Sequence, residues 1–402
     1  MPTPRVSRSE LERRLSALRR RLSEMGADAA LITSPVGAFY LTNLWFIGTE
    51  RPMALVVPVD GDPFMVLPSV EMGHAEHRNR EWGGVVKEFV YYFDYPGERH
   101  VAEEIADAIA SRGLRSVAGD SPLGPRGPYG YRGPSLSELL QKRGLRWLDL
   151  GDFLSEMMLV KSDEEVALIE ESGRWAARAV ERAMELIEPG LWDWEVALRA
   201  SLDVVQEMNR AYAPYTPLRD AVGWAVGFRG QVGEYSAFPH ALVSWRPIRQ
   251  GDVLGIGSGP EVGGYFAELE RTLVVGTPDQ RVRDLFEKML RVREAAISAL
   301  GPGVLASDVD AAMRRAAREL GVDNLLRHHT GHGLGLEAHE PPFLDVGYRE
   351  PLRPGMVVTV EPGLYVPGLG GFRHSDTFLI TRDGARRLTN FPEDIDELTV
   401  RR

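Results

Sequence analysis

Histidines and carboxylates set among glycine, proline and apolar residues gather in four segments of the second half of the chain. These are the stretch around His240 (AFPHALVSWRPIRQGD), then GIGSGPEVGGYFAELERT, HHTGHGLGLEAHEPP and TVEPGLYVPGLGGFRHSD. An ionisable side chain in apolar surroundings must find a partner, so such placements point to a site. His332 has glycine on both sides in GHGLG, and glycine lets a ligand come close to the backbone. For this motif alone, a buried histidine satisfied by a backbone carbonyl is the plainer alternative. Glu361 follows the apolar run Val357–Val360 and precedes Pro362–Gly363. It is expected at a strand end, either in a site or in a salt bridge on an edge strand. Glu268 and Glu270 lie two apart in a strand-like stretch and so share one face. Two like charges side by side are unfavourable unless a metal, a proton or a cationic ligand separates them. The flanking Leu269, Leu273 and Val274 argue against a merely solvated face. His240, His339 and Glu340 would each be ordinary loop residues if met alone; their company makes them candidates.

The chain that must position these groups has 402 residues, enough for two or three domains, and an ordinary 44% apolar content. Its net charge of −11 excludes the basic footprint of a nucleic-acid binder. It has no cysteine, hence no disulfide and no thiolate ligand, which fits a reducing cytoplasm. No apolar run is long enough for a membrane span, and the charged first segment lacks the apolar core of a signal peptide. A cytoplasmic protein is the expectation.

Ser9 and Glu12 have capping-box spacing, and Leu11, Leu15, Leu18 and Leu22 then form one helical stripe that Gly26 stops. Short apolar runs at Ala29–Ile32, Met53–Pro58 and Phe64–Leu67 alternate with helix-like stretches such as Val101–Arg112, so an α/β domain of roughly 150 residues is expected. A junction near Met157–Ser162 separates it from a second domain. There Ser162 and Glu165 open a helix to about Ile187, and a second helix covers Trp192–Met208. Strand-like runs at Asp252–Val275, Met356–Val360 and Phe372–Thr381 bracket two more helices, Asp279–Leu300 and Ser307–Leu320. This alternation predicts an α+β domain with an antiparallel sheet under helices. The boundaries read as 1–157 and 158–402.

Taken together, GHGLGLEAHEPP, LRPGMVVTVEPGLY and GGFRHSD resemble the creatinase/prolidase/aminopeptidase P family over the whole chain. The resemblance implies an α/β N-terminal domain, an α+β pita-bread C-terminal domain and a homodimer as the expected assembly. Peptidases of this family hold two divalent metals with two Asp, one His and two Glu. Carried over without gaps, those positions fall on Gly257, Glu268, His332, Glu361 and Ser375. Glycine has no donor and serine is a poor bridging ligand, so no dinuclear site is expected. His374 is one residue out of phase and should point to the other face.

Creatinase, a metal-free branch, resembles the chain from His240 through RQGD to ELERT. That resemblance makes His240 the proton carrier. Glu270 and Glu361 become the carboxylates that bind a cationic or guanidino group, and Arg51 an arginine that reaches the substrate carboxylate from the N-terminal domain. His332 falls on an active-site histidine, while His339 and Glu340, in HEPP, follow the peptidases and are expected as a catalytic and a substrate-binding residue. The leading expectation is therefore a creatinase-like hydrolase of a C–N bond, independent of metal and of other cofactors. The alternative is an Xaa-Pro peptidase that keeps one Zn or Mn on Glu268, His332 and Glu361, acting on a small molecule or short peptide. A non-catalytic peptide-binding relative is the third reading.

Overall fold

The computed structural model describes residues 4–401 except 83, 96, 125–132, 213, 214, 216 and 220–223. The chain forms two compact units, one built from Arg5–Met157 and the other mainly from the residues that follow. In the first, the leading helix runs Arg8–Met25 and its cap is Ser7, whose hydroxyl accepts from the Glu10 amide at 3.2 Å. The expected cap, Ser9, lies inside the helix. Ser7 and Glu10 offer the same spacing two residues earlier, and Glu10 is further held by Arg13 and Arg14. Gly26 ends the helix with φ 64°, a left-handed angle that suits glycine. The stripe Leu11, Leu15, Leu18 and Leu22 is buried.

Six strands form the sheet of this unit, in the order Glu88–Tyr92, Phe64–Pro68, Ala54–Pro58, Ala29–Ile32, Ser116–Gly119, Arg146–Asp149. The Ala54–Pro58 strand is antiparallel to both neighbours and the other pairs are parallel. Ala29–Ile32, Ala54–Pro58 and Phe64–Pro68 are buried at every position, which explains their unbroken apolar runs.

The second unit opens with the helix Asp163–Leu186, where the Ser162/Glu165 capping box is complete. It packs on Asp193–Tyr212, and Gln280–Ile297 packs on Ala306–Glu319. Beneath them lie two sheets and a ribbon. A five-stranded antiparallel sheet runs Glu340–Leu344, Gly331–Gly333, Val357–Val360, Asp376–Ile380, Ala385–Arg387. A four-stranded sheet runs Thr399–Val400, Leu269–Val275, Val253–Ser258, Val226–Gly227. Gly363–Val366 and Gly370–Arg373 make the ribbon.

The sequence run Phe372–Thr381 is therefore not one strand. It splits at His374–Ser375, where the chain leaves the ribbon and enters the five-stranded sheet. Asp376 fixes this crossing. It is fully buried, accepts from Thr389 Oγ1 at 2.6 Å and from Arg271 at 3.1 Å, and is also paired with Arg293. A buried carboxylate with three donors is pinned to one place, and so is the backbone on either side.

Candidate active site

The two sheets meet where Glu270 and Ser375 exchange backbone hydrogen bonds, each amide donating to the other's carbonyl at 3.0 Å. This junction brings Glu268 and Glu270, at the start of one sheet's strand, beside Ser375 at the entry to the other. The five-stranded sheet adds two more groups. The His332 amide donates to Thr359 Oγ1 at 3.0 Å, and the Glu361 amide donates to Thr330 O at 2.8 Å. His332 and Glu361 therefore project together, with Nε2 and Oε1 3.0 Å apart.

His332 is buried and stacks on His339 with ring centroids 3.8 Å apart. Its Nδ1 faces Gly333 O at 3.0 Å, so Nδ1 carries a proton and Nε2 is the nitrogen turned toward the carboxylates. Among the described residues no hydrogen bond is formed at that Nε2, and Glu361 Oε1 is the oxygen 3.0 Å from it. One donor atom each from Glu268, His332 and His339 lie within 4.8 Å of one another, and so do oxygens of Glu268, Glu270 and Glu361. Lone pairs that converge in a buried place require a cation among them. Glu268, His332 and Glu361 are residues that could hold a divalent ion: Glu268 belongs to both clusters, His332 to one and Glu361 to the other, and His332 Nε2 lies 3.0 Å from Glu361 Oε1.

A second ion would find fewer donors among these residues. Gly257 offers nothing, and the Ser375 hydroxyl is spent donating to Glu268 Oε1 at 2.6 Å. Glu270 faces Gly257 across the strand pair, and a Cβ on Gly257 would stand 3.2 Å from Glu270 Oε1. Its carboxylate fills the space the glycine leaves, but it is already taken. Arg373 Nε lies 2.5 Å from Oε2 and its Nη2 donates to Oε1 at 2.7 Å, while Arg229 Nη2 donates to the same Oε1 at 2.9 Å.

Burial, then the repulsion of Glu361 and Glu270, raises Glu268 to about 8. Burial would lower His332, but its contact with Glu361 and the charge of Glu268 raise it to about 9. Burial would raise Glu361, yet His332 and Arg373 hold it down at about 2. Both shifts favour the protonated forms, so protons compete with a metal for Glu268 and His332. Calorimetry in buffers of different ionisation enthalpy should show net proton release on metal binding, with affinity rising as pH rises. Release of none would remove these two residues from the ligand set.

The other expected residues fall in different places. His339 is exposed, and its pKa is lowered by loss of water on its shielded face and by the charge of His332. His240 is exposed in the loop after Gly233–Ala237, which Gln231 ties down by donating to Pro239 O at 2.6 Å. Glu340 was expected beside the substrate. Instead it pairs with Lys161 at 2.5 Å and accepts from the Glu337 amide, so it holds the His339 loop. Arg51 was expected to reach a substrate carboxylate, but it is engaged by Glu50 at 2.9 Å and Asp94 at 2.7 Å. His374 points away as the alternation predicts, its ring edge-on to Phe286 at 5.0 Å. Arg373, Arg229 and Lys161 were missed. Arg373 had a signal: it stands two before Ser375, hence on its face of an extended run.

The description Metallopeptidase family M24 matches residues 167–382, and the creatinase/prolidase N-terminal domain matches 14–122. The Xaa-Pro dipeptidase of Pyrococcus furiosus is 30% identical over 387 residues, 96% of this chain and 100% of its own. The solved prolidase of Pyrococcus horikoshii OT3 superposes with a TM-score of 0.76 at 26% identity, covering 95% of this chain and 99% of its own. The dipeptidase PepE of Mycobacterium ulcerans does so with 0.77 at 27%, covering 99% and 100%.

These matches overturn the expectation of a creatinase-like, metal-independent hydrolase of guanidino substrates, because the matching relatives carry the names of dipeptidases and prolidases. The geometry supplies a physical reason. Glu270, expected to bind a cationic substrate, already holds two guanidinium groups of the chain itself, and Glu361 faces His332. With an α/β N-terminal domain and a pita-bread C-terminal domain, the chain belongs to metallopeptidase family M24, the creatinase/prolidase family.

Proposed function

We propose that the chain is a peptidase of short Xaa-Pro-like substrates that works with a single divalent ion. It is a hydrolase acting on a C–N bond, and the peptide bond is the reading its relatives favour. The observation that carries the proposal is the buried His332 Nε2, which lies 3.0 Å from Glu361 Oε1 and shares a cluster of converging ligand atoms with Glu268. Bound there, the ion supplies an activated water at neutral pH. Ser375 holds Glu268 by its hydroxyl, and Gly333 O fixes the His332 tautomer. His339, neutral because its pKa is lowered, offers an exposed imidazole edge to the carbonyl of the scissile bond. His240, on its exposed loop, contacts the peptide from outside the ligand cluster. A short peptide is the expected partner, and a homodimer in the cytoplasm is the setting the family resemblance and the cysteine-free composition favour.

Release of proline from Ala-Pro, followed by chromatography with Mn or Zn supplied, is the direct test. No release with any divalent ion would refute the proposal. His339→Ala should reduce kcat/KM by about 100-fold, since it removes a proton donor to the substrate carbonyl. An unchanged rate would take His339 out of the mechanism.

A further inference from the structure

The loop 334–339 joins the strands Gly331–Gly333 and Glu340–Leu344 and brings His339 against the His332 ring. Among the described residues no hydrogen bond holds the His339 imidazole, so its place depends on the loop that carries it. Lys161 touches both ends of that loop. At the far end its ammonium pairs with Glu340 Oε1, while Oε2 of the same carboxylate accepts from the Glu337 amide at 3.2 Å. At the near end its stem packs on Gly335, where a Cβ would stand 2.8 Å from Lys161 Cε, too close for any other residue. The Gly335 backbone is pinned as well, because the Phe266 amide donates to its carbonyl at 2.9 Å.

Lys161 is itself fixed. Its amide donates to Gly355 O at 2.8 Å, and the Gly355 amide donates to Ile380 O at 2.8 Å. Its backbone is therefore tied to the five-stranded sheet, which carries His332 and leads into Glu361. The Lys161 side chain is 1% exposed and that of Glu340 12%. Removing both charges from water offsets most of their attraction, so a buried pair adds little net stability; its best-attested use is to fix one arrangement. The arrangement fixed here is the turn that ends at His339, the neighbour of Glu340.

We propose that Lys161 is a positioning residue of this enzyme. Through Glu340 it sets the His339 ring against His332, and so places the imidazole that serves the scissile carbonyl. The proposal rests on the peptidase reading and deepens it. Lys161 takes no proton and meets no reacting atom; it acts only through His339.

The test is a kinetic cycle on Ala-Pro with Lys161→Met, His339→Ala and both together. Misplacing a catalytic group by about 1 Å can cost a hundredfold, so Lys161→Met should lower kcat about 10- to 100-fold and move KM by no more than about 3-fold. In the His339→Ala background the same substitution should change kcat/KM by no more than about 2-fold. Losses that multiply in the double variant, or no loss in Lys161→Met, overturn the proposal. A second measurement needs no turnover. Hydrogen exchange of the Gly335 and Glu337 amides should quicken about 10-fold or more in Lys161→Met, while the strand Val357–Val360 keeps its wild-type rates. Lys161→Met leaves Glu340 without its counter-charge, so Lys161→Met/Glu340→Gln, which buries no lone charge, is measured beside it. Wild-type exchange of the loop in that pair variant, or equal acceleration of loop and strand in it, refutes the positioning role. If the wild type cleaves no Ala-Pro with any divalent ion, yet the loop alone loosens in the pair variant, the peptidase reading fails and the hold of Lys161 on His339 stands.

Discussion

Chelation should lower hydrolysis of Ala-Pro by at least about 1000-fold, and about one equivalent of Mn or Zn should restore it fully, a further equivalent adding nothing. The size follows from what the ion supplies, since unassisted water is a feeble nucleophile at pH 7. The stoichiometry follows from the donors. Glu268 shares one cluster of converging donors with His332 and another with Glu361, while Ser375 and Glu270 are committed to Glu268 and to two arginines. His332→Ala should reproduce the loss and abolish metal retention together, because its Nε2 is the one nitrogen in the buried set. Elemental analysis of the purified protein, alongside a titration of activity against added metal, checks both. Activity that needs two equivalents, or that survives thorough chelation, would defeat the single-ion reading.

Much of this centre was legible in the sequence, and the part that was not has a common physical cause. The strand runs Ala29–Ile32 and Val357–Val360, the capping box at Ser162 and the strand-end position of Glu361 depend on neighbours in the chain, and local patterning expresses them directly. The absence of donors at Gly257 and Ser375 could likewise be read residue by residue. What local patterning could not express is who else stands near Glu270. A carboxylate beside another carboxylate implies a cation, but it does not say whether that cation is a substrate, a metal or a distant arginine. Arg373 lies 103 positions away and Arg229 lies 41 away, and only the meeting of the two sheets brings them together. The assignment of Glu270 to a cationic substrate identified the need correctly and supplied the wrong partner. Glu340 repeats the lesson, with Lys161 179 positions distant. The division of the run Phe372–Thr381 has the same origin, because Asp376 is fixed by Arg271 and Arg293 from outside the segment.

The charge balance around Glu270 leads to the second large effect. Arg373→Ala should destabilise the metal-free protein by about 3 kcal/mol or more, measured by urea unfolding in chelator. Glu270 is only 7% exposed, and without Arg373 it would share its surroundings with Glu268 and Glu361 and keep one exposed arginine as its sole counter-charge. Leaving a buried charge without its partner is costlier than losing the pair. Adding Glu270→Gln to the Arg373→Ala background should therefore restore stability, with a coupling energy of about 2 kcal/mol. The same vacancy makes a further demand. With the guanidinium removed, oxygens of Glu268, Glu270 and Glu361 that lie within 4.8 Å of one another are free to take a cation. Millimolar Mn should then stabilise Arg373→Ala more than it stabilises wild type, and the variant should retain more metal per chain. Equal stability of Arg373→Ala and wild type in chelator, or no relief from Glu270→Gln, would mean that Arg373 is not the cation that keeps these carboxylates together.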